Sequence, residues 1–360
     1  MAKKTSIGGQ AVIEGIMMKG PRKTALAVRT PDGSIDIEYI SEKHLKDRYS
    51  FFGLPIIRGC VNFIESMITG YGAMMKSAEK SGFTDIEEEV DSNDKLNENT
   101  SDNTESAANE NSENAEEFLK SEKNEKSEET DNTKNTGKQK SNLDKLTTVL
   151  MVVASILGVG LSIVLFMYLP ALLFDLSNKL LSGSLSPFKA VFEGVLKMII
   201  FFIYILAVSK MKDIRRVFEY HGAEHKTIFC YEEGLELNVE NVRKQSRFHP
   251  RCGTSFMILM LVVGILIGVV LTWCFPALRQ SNFRALWVII KILILPVICG
   301  VGYELLKLCG RHDNCLTRII AAPGMWMQRI TTKEPDDSMI EVAIASLEAV
   351  IPENSEEDNW

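Results

Sequence analysis

Four stretches of the chain are apolar on every side. Leu146 to Phe174 carries no charged residue over 29 positions, Ala190 to Ser209 carries only Glu193 and Lys197, Cys252 to Leu278 is uncharged, and Ala285 to Gly302 has only Lys291. A helix needs about 20 apolar residues to cross the hydrocarbon core of a bilayer. Buried helices of large soluble proteins usually keep a polar stripe, and these stretches keep none. The pattern predicts a mainly α, polytopic membrane protein with about four transmembrane helices. Glu193 and Lys197, four residues apart, share a helix face and are placed to pair near the interface.

Outside the spans the pattern changes period. Gln10 to Met18 is apolar between glycines, and Thr24 to Arg29 and Ser34 to Ile40 alternate around the turn Pro31-Asp32-Gly33. This predicts a small N-terminal three-stranded β-meander. Leu54, Ile57, Val61, Ile64, Ile68, Tyr71 and Met75 then recur at intervals of three and four, with Arg58, Asn62, Glu65 and Thr69 opposite. That spacing predicts an amphipathic helix, interfacial or re-entrant in one reading and packed on the spans in the other. Gly82 to Leu143 is built from Asn, Ser, Glu, Lys, Thr and Asp, too polar to offset its chain entropy with burial, and reads as a disordered insert. A last helix is expected over 337–350, capped by Asp337 or Ser338. The expected organisation is a cytoplasmic β-rich segment over 1–50, the amphipathic helix over 51–81, the insert over 82–143, a transmembrane domain over 144–310 and a C-terminal segment over 311–360.

Charge refines this picture. The chain carries a formal net charge of -7, but the insert alone holds 18 Asp and Glu against 7 Lys, so the remainder is mildly basic. The loop 210–251 between the second and third spans holds nine Lys and Arg, which makes it cytoplasmic by the positive-inside rule. Met1 to Lys23 has no apolar core of a signal peptide. Both termini are therefore expected in the cytoplasm, in a multi-pass protein of the cell membrane. Seven cysteines, an odd number, fall mostly in membrane or cytoplasmic positions and argue against a disulfide framework.

The candidate chemistry lies in that basic loop. His221-Gly222-Ala223-Glu224-His225 places two of only five histidines at i and i+4 if the second span continues as a helix. Two imidazoles on one helix face make a bidentate grip for a metal, and Glu224 beside them is placed to act as general base toward water. His-x-x-Glu-His is the inverted zincin pattern. His249 and Cys252, at the mouth of the third span, are further ligand types, and Cys230 is another. Glu304, acidic at the end of an apolar span, needs a partner or a role, and is a third candidate to complete the site. The bland alternatives are a basic juxtamembrane anchor of Arg247, His249 and Arg251, and an ion pair between Glu304 and Lys307. The run Cys309 to Cys315 has ligand types in no familiar spacing. Gly8-Gly9 with Gly15 and Gly20 lacks the ending of a phosphate-binding loop. Glu14 is either a sheet-edge residue or a member of the same site.

Four segments together carry a resemblance: Ile7-Gly8-Gly9-Gln10-Ala11-Val12-Ile13-Glu14-Gly15-Ile16-Met17-Met18-Lys19-Gly20-Pro21, Tyr220 to Lys226, His249-Pro250-Arg251-Cys252-Gly253-Thr254-Ser255-Phe256, and Thr331-Thr332-Lys333-Glu334-Pro335-Asp336-Asp337. They look like those of the YqhQ-like family of bacterial membrane proteins, described as predicted metal-dependent enzymes. The resemblance covers residues 6 to about 80 and 146 to about 350 and departs at the insert. It implies a membrane-bound metal protein and raises His221, Glu224, His225, His249 and Cys252 as site residues, without assigning a reaction.

The leading expectation is a membrane-bound metal-dependent hydrolase. Its catalytic residue is Glu224, its metal ligands come from His221, His225, His249, Cys252 and Glu304, and its cofactor is a divalent metal of the zinc class. The other reading is a non-catalytic scaffold or assembly factor. Transport has less support, since only Glu193, Lys197 and Lys291 are polar at depth. The expected partners are the lipid bilayer and a lipid or membrane-protein substrate, with no nucleic acid.

Overall fold

The structure, a computed structural model, describes residues 4–41, 49–82, 153–275, 284–312, 314–354 and 357–358. The acidic stretch over 83–143 and the first residues of the first predicted span lie outside these.

The N-terminal sheet has four antiparallel strands in sequence order: β1 (Gly8–Val12), β2 (Gly15–Lys19), β3 (Thr24–Arg29) and β4 (Ile35–Ile40). The single apolar run at Gln10 to Met18, expected as one strand, is a hairpin whose chain reverses at Ile13-Glu14, with Val12 opposite Gly15. Apolar composition alone cannot reveal that reversal, because Glu14 takes up φ 49° without being glycine. Its carboxylate is held by Arg216, at 2.5 and 2.6 Å, and by the Tyr220 hydroxyl at 3.2 Å. The turn is thus fixed from the element that carries the histidines.

Helix α1 (Ile57–Lys80) follows, then four helices long and apolar enough to cross a membrane. The first, α2, is described over Val153–Leu180 and widens into a π turn at Val164–Tyr168, just before Pro170, whose ring nitrogen has no hydrogen to donate. The second is α3 (Lys189–Val208), extended at its start by a 3-10 turn. There Glu193 lies 3.5 Å from Lys189, not against Lys197 as its spacing suggested. Helix α4 (Lys212–Glu232) begins anew after a turn at Ser209, Lys210 and Met211, so the histidines ride on a separate helix rather than on a prolonged span. A short α5 (Val239–Arg243) leads to the third span, α6 (Gly253–Cys274). The fourth lies in α7 (Arg284–Arg311), which runs well past the predicted end at Gly302. Helices α8 (Cys315–Thr331) and α9 (Asp337–Glu348) complete the chain, and Asp336, one residue earlier than expected, caps α9 by accepting from Met339 N at 2.9 Å.

The two central strands, β2 and β3, are buried on both faces. Ile16, Met18, Ala25 and Ala27 face Tyr220 and Ala223 of α4 and Ile340 and Leu347 of α9. Met17, Leu26 and Val28 face Ala73 of α1. Period-two alternation feeds two separate cores, which is why β2 and β3 carry no polar face. Leu26→Ala is expected to cost roughly 2–5 kcal/mol, as buried leucines do when truncated in a packed layer. Thermal unfolding of the detergent-purified protein checks it, and an unchanged melting temperature would mean that this layer carries little of the stability.

Candidate metal site

His221 and His225 project from the same face of α4, with ring centroids 4.4 Å apart. Cys252 is the N-cap residue of α6, its sulfur accepting from Thr254 N at 3.4 Å. Helix α4 and the span thus meet at the start of α6, where His221 Nε2 stands 3.1 Å from Cys252 Sγ. One ligand atom from each of His221, His225 and Cys252 lies within 4.8 Å of the other two.

Both imidazoles are oriented by backbone carbonyls. His221 Nδ1 is 2.9 Å from Thr331 O and His225 Nδ1 is 2.5 Å from Arg247 O. A carbonyl only accepts, so each Nδ1 carries a hydrogen, and Nε2 is the nitrogen through which each ring would ligate. This is the outer-shell arrangement that metal-binding histidines use to fix tautomer and ring angle. Thr331 reaches His221 because the 331–335 segment lies directly on α4. Lys333 N donates to Phe218 O at 2.8 Å, and a Cβ at Gly222 would stand 2.0 Å from Lys333 O.

The members of the group shift one another's protonation. Burial opposes charge on Cys252, yet His221 and His225 hold its thiol well below the ordinary range. Burial likewise opposes a charged His221, but the Cys252 thiolate, with Glu224 and the Thr331 carbonyl, pushes it up to about 9. Glu224 is raised, mainly by burial and further by Cys252, against the pull of the two histidines. One Glu224 oxygen accepts from the backbone N–H of Gly9 on β1, while Oε2, buried, has no hydrogen-bond partner among the described residues. Glu224 is 5%, His225 1% and Cys252 6% exposed, so the group is shielded from water, with His221 its most open member.

The other predicted residues go elsewhere. His249 lies beside the group, its ring 5.5 Å from that of His225, but its nitrogens face Arg251, with N at 3.3 Å and Nη2 at 3.2 Å, and Glu232 at 3.7 Å. Burial, aided by the charges of His225 and Arg251, takes its pKa down to about 4 despite Glu232. Gln328 brackets its backbone, accepting from His249 N and donating to His249 O, each at 2.7 Å. Glu304 lies in α7 and receives both arms of Arg58, at 2.7 and 2.6 Å, rather than joining the histidines. Cys230 is buried in the sheet-facing core. In the Cys309 to Cys315 run, Asn314 forms a capping box with Thr317, and Cys309 Sγ donates to Thr317 O at 3.6 Å, which makes a helix junction.

Gly9, Thr331, Arg247 and Gln328 support the site through long-range backbone contacts that residue type does not announce. Gly9 and Thr331 stand in segments already singled out and Arg247 among the cations of the loop, but none of them has a role at the site assigned from sequence.

Residues 54–353 match the family model described as "Protein of unknown function (DUF1385)". The chain is 31% identical over 345 residues to the "Uncharacterized protein YqhQ" of Bacillus subtilis (strain 168), covering 96% of this chain and 92% of that relative. No solved structure matches it.

Proposed function

Because the chain belongs to the DUF1385 family, whose description carries no activity, we propose its function from the site itself: a multi-pass membrane protein that holds one divalent metal of the zinc class with His221, His225 and Cys252, and acts as a hydrolase at the membrane surface. The observation that supports it most is the convergence of two carbonyl-oriented imidazoles and a lowered thiol, with the unpartnered Glu224 Oε2 buried beside them. Two nitrogens and a sulfur suit zinc, whereas magnesium and calcium prefer oxygen shells. Three protein ligands leave a tetrahedral ion one open position, the hallmark of a catalytic rather than a structural zinc site.

When bound, such an ion supplies Lewis acidity. The protein's own part is clear from its residues. Glu224 is the general base: Gly9 N–H fixes one oxygen and the other is free to take a proton, in a buried setting that raises its basicity. Thr331 and Arg247 hold the imidazoles. The substrate is a lipid or a membrane protein, because Cys252 directly precedes a membrane-spanning helix. The nine cations of loop 210–251 support a site on the cytoplasmic face of the cell membrane, with both termini on that side.

The depth of burial supports a second reading, in which Glu224 is the fourth ligand of a structural ion and the protein is a scaffold or assembly factor. Glu224→Gln separates the two. The hydrolase reading expects the variant to keep about one metal per chain, because the three ligands of the open site remain. Metal content falling in step with the substitution would assign Glu224 to the coordination shell and favour the scaffold.

A further inference from the structure

The side of α1 turned away from the sheet and from α7 is apolar. Ile64, Met67, Ile68, Tyr71 and Met75 are exposed at helical spacing, Ile68 and Tyr71 by 69% and 70%. The chain leading into α1 is apolar too: Phe51, Leu54 and Ile56 are 62%, 48% and 41% exposed, across the 3-10 turn Ser50–Gly53 and the residues after it.

Their position along α7 decides what surrounds them. A Cβ at Gly300 would lie 2.3 Å from the Ile56 carbonyl oxygen, so glycine there lets the backbone of Ile56, at φ 72°, sit directly on the span. Gly300 precedes the end of that span, Arg311, by eleven residues, about 16 Å of helix at ~1.5 Å per residue. A second ruler, along α6, gives a shallower position. A Cβ at Gly302 would touch Phe256 and Met260, which lie about 5 to 10 Å along α6 from its start at Gly253. The other end of α1 returns to the sheet, with Ala73 in its core and Lys80 paired to Asp36 at 2.7 Å. Both β4 before this segment and the C-terminal half of α1 after it therefore belong to the sheet side, while the segment between them sits against a span, roughly 5 to 16 Å in from its end.

We infer that Tyr49 to Arg58 is a re-entrant element, with Phe51, Leu54 and Ile56 among the acyl chains of the bilayer and the stripe of α1 carrying the lipid contact back to the membrane surface. The occupant is lipid because the surface is continuous with α7, where Ile292, Leu293 and Leu295 are exposed on a segment apolar enough to span. Irregular backbone at depth needs its polar groups satisfied: Gly300 seats Ile56, and within the turn Phe52 N and Leu54 N donate to Tyr49 O and Phe51 O at 3.1 and 3.3 Å. The cation at the base of α1 enters paired, Arg58 with Glu304, and Asn62 Nδ2 donates to the Tyr303 hydroxyl at 3.1 Å.

Depth-dependent quenching tests this. A fluorescent amino acid is placed at Phe51 of the full chain, with Leu54 as a second position and Tyr39 on β4, 60% exposed, as the reference. Each protein is reconstituted in phosphatidylcholine–phosphatidylglycerol vesicles carrying nitroxide on the headgroup or at mid-chain. Phe51 and Leu54 reporters are expected to be quenched roughly twofold more by the mid-chain nitroxide, as residence within the ~30 Å hydrocarbon core requires, and to ignore iodide present on both sides. The Tyr39 reporter should respond to iodide. Stronger quenching by the headgroup probe would make the segment interfacial and overturn the inference, as would quenching by iodide at Phe51 and Leu54.

Discussion

A chain carrying His225→Ala is expected to purify with almost no bound metal, where the natural protein is expected to carry about one ion of the zinc class per chain. Of the three candidate ligands His225 is the most buried, and its Nδ1 is anchored to Arg247 O, which fixes the ring that offers Nε2. Losing an outer-shell partner costs roughly 10- to 100-fold in affinity. Removing a ligand from a three-ligand site is expected to cost more than that, enough to empty the site during purification. His249→Ala is the matched control. Its ring nitrogens are engaged by Arg251 and Glu232, so metal should stay while the packing under α4 loosens. Elemental analysis of both detergent-purified variants checks the pair, and retention in the first with loss in the second would exchange their roles.

The second large effect is expected from a single methyl. Gly222→Ala introduces a Cβ 2.0 Å from the Lys333 carbonyl oxygen, a backbone atom already tied to α4 through Lys333 N and Phe218 O. Neither side can yield without moving the 331–335 segment, and Thr331 in that segment holds His221. Overpacking costs typically about 1–3 kcal/mol, and backbone meeting backbone belongs at the upper end. At roughly 2–4 °C per kcal/mol for a domain of this size, the melting temperature should fall by several degrees, with metal content falling alongside it. Gly72→Ala is the counterpart, since nothing stands within 4 Å of its Cβ position. It should be neutral or stabilising by about 0.5–1 kcal/mol, the helix preference of alanine over glycine. Equal melting temperatures for the two variants would show that the close approach at Gly222 is not structurally important.

What the sequence disclosed and what it withheld follow from the range of the forces involved. Long uncharged runs marked four spans because crossing a bilayer is a local demand on each segment. The i, i+4 histidine pair was visible because a helix brings those positions together whatever surrounds it. The ladder at Gln10 to Met18 was misread by one strand, since its reversal rests on Glu14 being held by Arg216, about 200 residues away in sequence. The third ligand stayed open among His249, Cys252 and Glu304 for the same reason. Choosing between them depends on which face of the 249–252 turn points at α4, and Gln328, from another helix, sets that turn. For Glu304 the sequence offers Lys307 as a partner, because Arg58, which pairs with it, lies 246 residues earlier. The contribution of Gly9 to Glu224 is a backbone hydrogen bond from the sheet edge, which no side-chain pattern can encode.

The most direct measurement is X-ray absorption at the metal edge on the full-length protein purified in detergent with its native metal. A site built from His221, His225 and Cys252 predicts about one zinc-class ion per chain and a mixed first shell, with one sulfur at ~2.3 Å and imidazole nitrogens at ~2.0 to 2.1 Å. The sulfur contribution should disappear in Cys252→Ser. A shell of oxygen and nitrogen alone in the natural protein, or a chain purified intact with no stoichiometric metal, would contradict the account.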